Sequence, residues 1–419
     1  MVKRIWIIGA IILGMTILCI AFFAYENFSP DTMIGSEKNP IRVSVNTTKG
    51  FQSPPMMFRA DPACTGNYSQ VSRGIIPLGR LKWKYKLDSS APASPTVWED
   101  TVYLMTPHNG SFAINASTGV LKWNNRDIGY SSGSPAIAEG KVFEQAGYFY
   151  SLNAETGAVG WRYQGGNSFG LFPAIANGTV YIGNGDKNVY AFDPETGRVR
   201  WNYTTIGSVN TLAVADNTVY LTSVQIVNLT FAKGIDQSKD KIETDNRIYA
   251  LDADTGMLKW KFTPHGMVSY CGPAVADGIL YVGTDYNDNN LYALDTRTGE
   301  VRWNRTINVS ISSPAVAEGM VFVGSDDSNL NALDAKTGAQ KWKFTVQESK
   351  MPGGIASSPA YADGVVYFGD LNGNLYALDA KTGALRWKFT AGGYIWSSPA
   401  ISNGIIYFSS GDGYLYAVE

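Results

Sequence analysis

The sequence predicts an all-β protein, an eight-bladed β-propeller of four-stranded antiparallel blades closed by its N-terminal strand and preceded by one N-terminal transmembrane helix. Three observations predict it. An eleven-residue pattern, Ala-x-Asp-x-x-Thr-Gly-x-x-x-Trp, recurs along most of the 419 residues. Its copies stand about 42 residues apart, the size of one four-stranded blade. The incomplete copy is split between the two ends of the repeat region, as a ring requires and a linear solenoid with polar caps would not.

The chain begins with a cytoplasmic tip, residues 1–4, and a transmembrane anchor, residues 5–25. Ile5 to Tyr25 carries no charge, with Lys3 and Arg4 before it and Glu26 and Asp31 after it. A helix of that length spans about 31 Å, enough for a hydrocarbon core of roughly 30 Å. The basic flank stays inside and sends the rest outside. Ala21-Phe-Phe-Ala-Tyr25 offers no convincing cleavage site, and Leu18 stands where a lipoprotein signal needs a small residue before Cys19. The expected location is the cell membrane, single-pass, with the propeller on the extracytoplasmic side.

Glycosylation sequons agree. They occur at Asn27, Asn46, Asn67, Asn109, Asn115, Asn177, Asn202, Asn228, Asn304 and Asn308. With 28 Asn and 62 Ser plus Thr in 419 residues, chance would supply about four. Residues 26–78, rich in Pro, Ser, Asn and Thr without a period, read as an extracytoplasmic stalk and propeller lead-in.

Residues 79–419 hold the repeats. The clearest is Ala377-Leu-Asp379-Ala-Lys-Thr382-Gly383-Ala-Leu-Arg-Trp387; others end at Trp123, Trp161, Trp201, Trp260, Trp303 and Trp342. Asn115 and Asn153 replace Asp in two copies. The eighth runs from Ala417-Val-Glu419 back to Gly79-Arg-Leu-Lys-Trp83. Asp caps the amides of the turn, Gly takes the left-handed conformation that closes it, and Trp offers a flat face for docking on the next blade. In the seventh unit the strands are expected at 357–362, 365–368, 374–378 and 384–389. Pro95, Pro135, Pro173, Pro273, Pro314, Pro359 and Pro399 fall in the first strand of their units; an imino acid suits an innermost edge strand. Leu212 replaces Pro in the fourth unit, which also carries an insertion, 224–247, long enough for a projecting hairpin.

This repeat resembles that of the pyrroloquinoline-quinone-like propellers with their tryptophan-docking motif, a family of quinoprotein alcohol dehydrogenases and the assembly scaffold BamB. The resemblance covers 79–419. Upstream, Phe58-Arg59-Ala60-Asp61-Pro62-Ala63-Cys64-Thr65-Gly66 looks like the segment that opens such propellers, with Cys64 where relatives often have His. The family contains both enzymes and scaffolds, so its fold does not decide the function.

Composition narrows the choice. Thirty-four Lys and Arg against 36 Asp and Glu give a net charge of −2, and no basic field exists for nucleic acid. His108 and His265 are the only histidines, too few for a His-rich metal site or a Ser-His-Asp triad. Cys19, Cys64 and Cys271 form no CxxC pair and no adjacent pair of the kind that covers the quinone in resembling dehydrogenases. A bond between Cys64 and Cys271 is open beside two free thiols. Asp285-Tyr-Asn287-Asp288-Asn289 and Asp326-Asp327 could hold Ca2+, although Asp and Asn also simply fill turns. The expectation is a non-catalytic protein-interaction scaffold. Trp83, Trp123, Trp161, Trp201, Trp260, Trp303, Trp342 and Trp387 are its docking residues. No catalytic, cofactor or metal residue is assigned, and its partners are other extracytoplasmic or cell-envelope proteins. The alternatives are a dehydrogenase using the quinone (PQQ) with Ca2+ and a propeller that binds cell-surface polysaccharide.

Overall fold

The computed structural model of the protein describes residues 56–419, apart from 58, 62, 88, 90–92, 130–132, 166–171, 231–240, 269–271, 285–287, 309–311 and 349–353; side chains within 226–245 are also outside the description. The expected membrane span lies outside the described residues. What is described forms eight four-stranded antiparallel sheets, the blades of one propeller. Blade 7 is representative, with strands Ala360–Ala362, Val365–Gly369, Asn374–Asp379 and Leu385–Thr390 in sequence order from the axis outwards.

Burial follows that order. In blade 7 the first three strands are buried almost throughout, while the fourth alternates between exposed and half-buried. Several second strands are continuous apolar runs, such as Val365-Val-Tyr-Phe-Gly369, because each is covered by a blade on either face. Consecutive strands are antiparallel, so the 1–2 and 3–4 turns of every blade share one side of the ring, the turn face. The 2–3 hairpins and the crossovers to the next blade share the other, the crossover face. In the last sheet the strand Leu81–Lys86 lies outermost against Tyr414–Val418, with Trp83 opposite Ala417 and Lys84 opposite Tyr416.

The innermost strands are shorter than expected. Each of the seven prolines stands immediately before its strand rather than within it, as Pro359 does before Ala360–Ala362. With no N–H to donate, proline delays pairing by one residue. Blade 4 is the control: Leu212 keeps its amide, and the inner strand there runs for eight residues, Ser208–Ala215, with Leu212 opposite Leu221. The insertion in the same blade lengthens its middle pair to Thr218–Thr230 and Lys241–Asp252, registered as far as Thr230 opposite Lys241.

The lead-in is not a free stalk from Met56 onward. The inner strands would leave edge amides unpaired at the axis, and this segment satisfies several of them. Ile137, Val275, Val316 and Tyr361 donate to the carbonyls of Met56, Ala63, Thr65 and Gly66 at 2.6, 2.9, 2.7 and 2.8 Å. The Met56–Ile137 bridge is antiparallel and the Asn67–Tyr361 bridge parallel. The chain therefore enters from the turn face, reverses near the axis and leaves by the same face through the helical turn Ser69–Ser72.

Candidate functional site

The repeated motif is assembled between blades. All eight motif tryptophans donate their indole N–H to a carbonyl of the following blade. Trp83, Trp123, Trp201, Trp260, Trp303 and Trp342 reach Ala116, Ala154, Ala253, Thr296, Ala335 and Ala380 at 2.8–2.9 Å. Trp161 reaches Pro194 at 3.0 Å. Trp387 faces the split repeat, and Pro77 supplies the carbonyl at 2.7 Å. Each ring lies on the motif glycine of that next blade. Gly383 has φ +73°, and a Cβ there would stand 2.7 Å from the Trp342 ring. Glycine is thus required twice, for the turn and for the approach. Directly opposite each Trp across the strand pair stands Ala, or Ser151 opposite Trp161, which leaves room for the ring.

The motif Asp acts as expected. Asp379 Oδ1 accepts from the Thr382 amide at 3.0 Å and the Thr382 hydroxyl at 2.9 Å. Its other oxygen takes Arg386 at 2.8 Å, a residue on the bulge just before the Trp. The same pairing occurs at Asp193–Arg200, Asp295–Arg302 and Asp334–Lys341. The basic partners and turn donors hold the carboxyls of Asp295, Asp334 and Asp379 down at about 2.

One partner of the tryptophans escaped the motif reading. Tyr103, Tyr181, Tyr220, Tyr281 and Tyr407, on second strands, send their hydroxyls at 3.0–3.4 Å to the same carbonyl that takes the neighbouring indole. Each ring sits 5.8–6.0 Å from its own blade's Trp. The signal was present as a repeated aromatic at the third second-strand position, Tyr or Phe in every blade.

At the axis, a belt of hydroxyls links consecutive blades. The amides of Gly272, Ser313, Ser358 and Ser398 donate to the hydroxyls of Ser313, Ser358, Ser398 and Ser94 at 2.7–3.1 Å. Ser-Pro dipeptides place these hydroxyls, since each precedes the proline that opens an inner strand. The belt changes character at blades 3 to 5, where Phe172, Pro173, Thr211, Leu212 and Gly272 line a small cavity with Arg59 and Cys64 of the lead-in. Arg59 is buried and its guanidinium donates to the Pro314 carbonyl. Burial raises Asp61 above the usual carboxylate range against the hydrogen bonds from Thr65 and the charge of Arg59. It also pushes the Cys64 thiol up to about 12, and that thiol points at the Leu212 carbonyl, 3.5 Å away. Phe58 and Pro62 of the lead-in motif, and Cys271, lie outside the described residues.

Other expected positions separate. Asn177, Asn202, Asn304 and Asn308 are exposed, whereas Asn115 caps its own turn, accepting from Thr118 at 2.9 Å. Asn67 accepts from the Ser69 amide at 3.0 Å, and Asn109 donates to the Leu87 carbonyl at 3.1 Å. Asn27 and Asn46 fall outside the described residues, as does the side chain of Asn228. In the acidic hairpins, Asp288 takes the hydroxyls of Thr284 and Tyr292 at 2.5 and 2.6 Å, and Asp327 that of Ser325. Residues 285–287 lie outside the described residues. Among the described residues no three His, Cys, Asp or Glu side chains stand together as metal ligands. A quinone with Ca2+ would need an oxygen-rich set with several carboxylates; the described axis offers hydroxyls, backbone groups, the Arg59 guanidinium, the Cys64 thiol and one carboxyl, Asp61, taken up by Thr65, and does not fit it.

Two residues stand out that the motif reading passed over. Glu144 is fully buried between blades 1 and 2, where the other second strands carry Leu104, Ile182, Leu221, Val282, Val323, Phe368 and Phe408. It accepts from Ser111 at 2.8 Å through one oxygen, the other has no hydrogen-bond partner, and burial lifts its pKa to about 8. Trp396, on the crossover into blade 8, is 43% exposed beside Tyr394.

The eight-bladed ring and the docked indoles define a class, the eight-bladed propellers locked by tryptophan docking. The chain belongs to the family described as outer membrane protein assembly factor BamB, whose profile matches residues 75–225, 145–266 and 244–419. Solved structures of similar fold include BamB from Moraxella catarrhalis (19% identity, 80% of this chain and 98% of that one, TM-score 0.59). A quinohemoprotein alcohol dehydrogenase, ADHIIG from Pseudomonas putida HK5, superposes with TM-score 0.67 (17% identity, 86% of this chain and 76% of that one). A europium-containing methanol dehydrogenase gives 0.66 (17% identity, 87% and 89%). Comparison with curated proteins gives no match.

Proposed function

We propose that the protein is a membrane-anchored, extracytoplasmic propeller that holds other cell-envelope proteins and catalyses no reaction. The observation that carries this reading is the lead-in paired to the inner strands of four blades. Backbone pairing of the lead-in to inner strands, with Arg59 and Tyr68 buried among them, commits the centre of the ring to structure. What is left to offer is surface, and among the described residues the longest paired hairpin on it is that of blade 4, on the crossover face. The uncharged run 5–25 and the excess of sequons support an anchored, exported and glycosylated chain. The pairing of Leu81–Lys86 with Tyr414–Val418 supports a ring closed by its N-terminal strand.

The test compares the full chain with a variant in which 226–245 is replaced by a two-residue turn, each crosslinked in its native membrane. The expected result is a discrete set of envelope proteins held by the full chain and reduced with the variant. Purified full chain incubated with the quinone and Ca2+ is expected to gain no tightly bound chromophore and to reduce no dye when given alcohols. A stoichiometric quinone spectrum with alcohol-dependent turnover would overturn the reading in favour of the dehydrogenases.

One observation favours a second reading, polysaccharide binding. Exposed Trp396, with half-buried Tyr394 beside it at a ring-centroid distance of 6.3 Å, offers an aromatic face on which a sugar ring could stack. Retardation of the full chain, but not of Trp396→Ala, in a gel containing native surface polysaccharide would support it.

A further inference from the structure

We propose that the turn face around residues 73–82 rests against the lipid bilayer, with the crossover face held away from it; this rests on the anchor reading of residues 5–25. The geometry of the lead-in supplies the direction. The inner strand Ala136–Ala138 runs towards its 1–2 turn, and Met56 pairs antiparallel to it, so at Met56 the chain runs away from the turn face. Residues 26–55 tie that face to the anchor. Thirty residues separate Tyr25 from Met56; a coil of thirty residues would span about 30 Å, which would keep the face close to the membrane.

The same face carries an unusual apolar group. After the helical turn Ser69–Ser72 the chain crosses the turn side of blade 8 as Arg73-Gly-Ile-Ile-Pro-Leu-Gly-Arg-Leu-Lys82. Ile75 packs against Gly404 in the 1–2 turn of blade 8, yet is 53% exposed, and Leu78 is 66% exposed. Ile76 and Leu81 are exposed beside them. Pro77 and Gly79 are fixed by Trp387, so this strip is held in place. Other blades show exposed aliphatics after their Thr-Gly turns, among them Val120, Val159 and Met257. Only here does the lead-in add Ile75, Ile76 and Leu78 to such a position. Arg73 and Arg80 are exposed at the two ends of the strip, while Lys82 pairs with Glu419. Apolar side chains flanked by basic ones suit the boundary between acyl chains and anionic headgroups.

The test uses the full chain reconstituted into vesicles of phosphatidylcholine and phosphatidylglycerol, with Cys19→Ser and Cys271→Ser and the buried Cys64 retained. A fluorophore is attached at Leu78→Cys, at Ile76→Cys, or at Lys187→Cys, an exposed residue of the crossover face, and lipid-borne nitroxide is the quencher. Quenching is expected at 76 and 78 and not at 187, and Arg73→Glu with Arg80→Glu should weaken it several-fold. Alkaline carbonate extraction separates the two ways of failing. A chain that washes off the vesicles refutes the anchor reading and this inference with it. A chain that stays embedded, with residues 76 and 78 quenched no more than 187, refutes the inference alone. Unquenched labels joined to crosslinked dimers would overturn it in favour of a second copy on the strip.

Discussion

Glu144 should make the protein less stable as pH rises from 5 to 8, and removing its charge should cancel that loss. Its carboxyl is buried between blades 1 and 2, accepts one hydrogen bond from Ser111 and has a folded pKa of about 8, against an ordinary value of 4.5. Below 4.5 the group is protonated in both states and contributes no pH dependence. Between 4.5 and 8 the unfolded chain ionises while the folded one does not. Stability then falls by about 1.4 kcal/mol per pH unit, levelling off above pH 8 after a loss of about 5 kcal/mol. Glu144→Gln keeps the shape and an acceptor for Ser111 but cannot ionise. Its stability relative to wild type should therefore be small at pH 4.5 and rise to about 4 kcal/mol at pH 8. Glu144→Leu, which puts an apolar residue there as in the other second strands, should follow the same slope. Chemical denaturation of wild type and both variants at half-unit steps from pH 4 to 9 measures the difference directly. Parallel profiles, with Glu144→Gln displaced by a constant amount, would refute the reasoning and mean that the carboxylate is solvated or paired when charged.

Three other outcomes follow from the docking geometry. Gly383→Ala must place a Cβ 2.7 Å from the Trp342 ring at φ +73°, whereas Gly140→Ala, at φ +70° with nothing within 4 Å, meets backbone strain alone. The first should lower the melting temperature by clearly more than the second, which should cost about 1 kcal/mol. Trp303→Ala removes a buried indole and its bond to Ala335, and should cost roughly 3–5 kcal/mol in denaturant titrations. Half-buried Trp98, outside the motif, should cost less when changed to Ala. Asp334→Asn should make the acid transition shallower, because one group fewer takes up a proton on unfolding. The folded pKa of about 2 lies below the ordinary 3.8, so its contribution is present above pH 3.8 and disappears as pH falls through 2. Solvent screening keeps that contribution under about 1 kcal/mol.

What the sequence showed and what it hid have the same physical origin. Repetition exposes any residue whose job recurs in every blade, so the Trp, the capping Asp and the turn Gly could be placed before any coordinates. The tyrosine that shares the Trp acceptor was equally repeated, yet an aromatic in a strand has so many ordinary reasons to be there that its role stayed invisible. Residues that act once leave no period. Arg59 reads as a charge in a polar stretch, and only the backbone pairing of Met56, Ala63, Thr65 and Gly66 to separate blades shows it buried at the axis. The prolines were legible as edge markers, but their exact offset was not, because the missing N–H forbids pairing at that residue without saying on which side the strand begins. Leu212 supplied the answer through the longer strand it permits.

The two faces of the ring answer to different constraints, and this bears on where function can reside. In blades 1 to 7 the 3–4 turn on the turn face must accept the indole of the preceding blade and fit a glycine under it, so its length and chemistry are nearly invariant from blade to blade. No such partner acts on the crossover face. There the connection between strands shortens to the few residues between Thr204 and Ser208 and lengthens to the stretch between Thr345 and Ala360. The longest hairpin, in blade 4, projects from that same face. Changes in length there leave the docking untouched, so a partner can be recognised by altering loops at little cost to the ring. If the blade 4 hairpin recognises a partner, shortening it should remove binding while leaving the melting temperature near that of the intact chain. Loss of both together would place the hairpin in the structure of the ring instead.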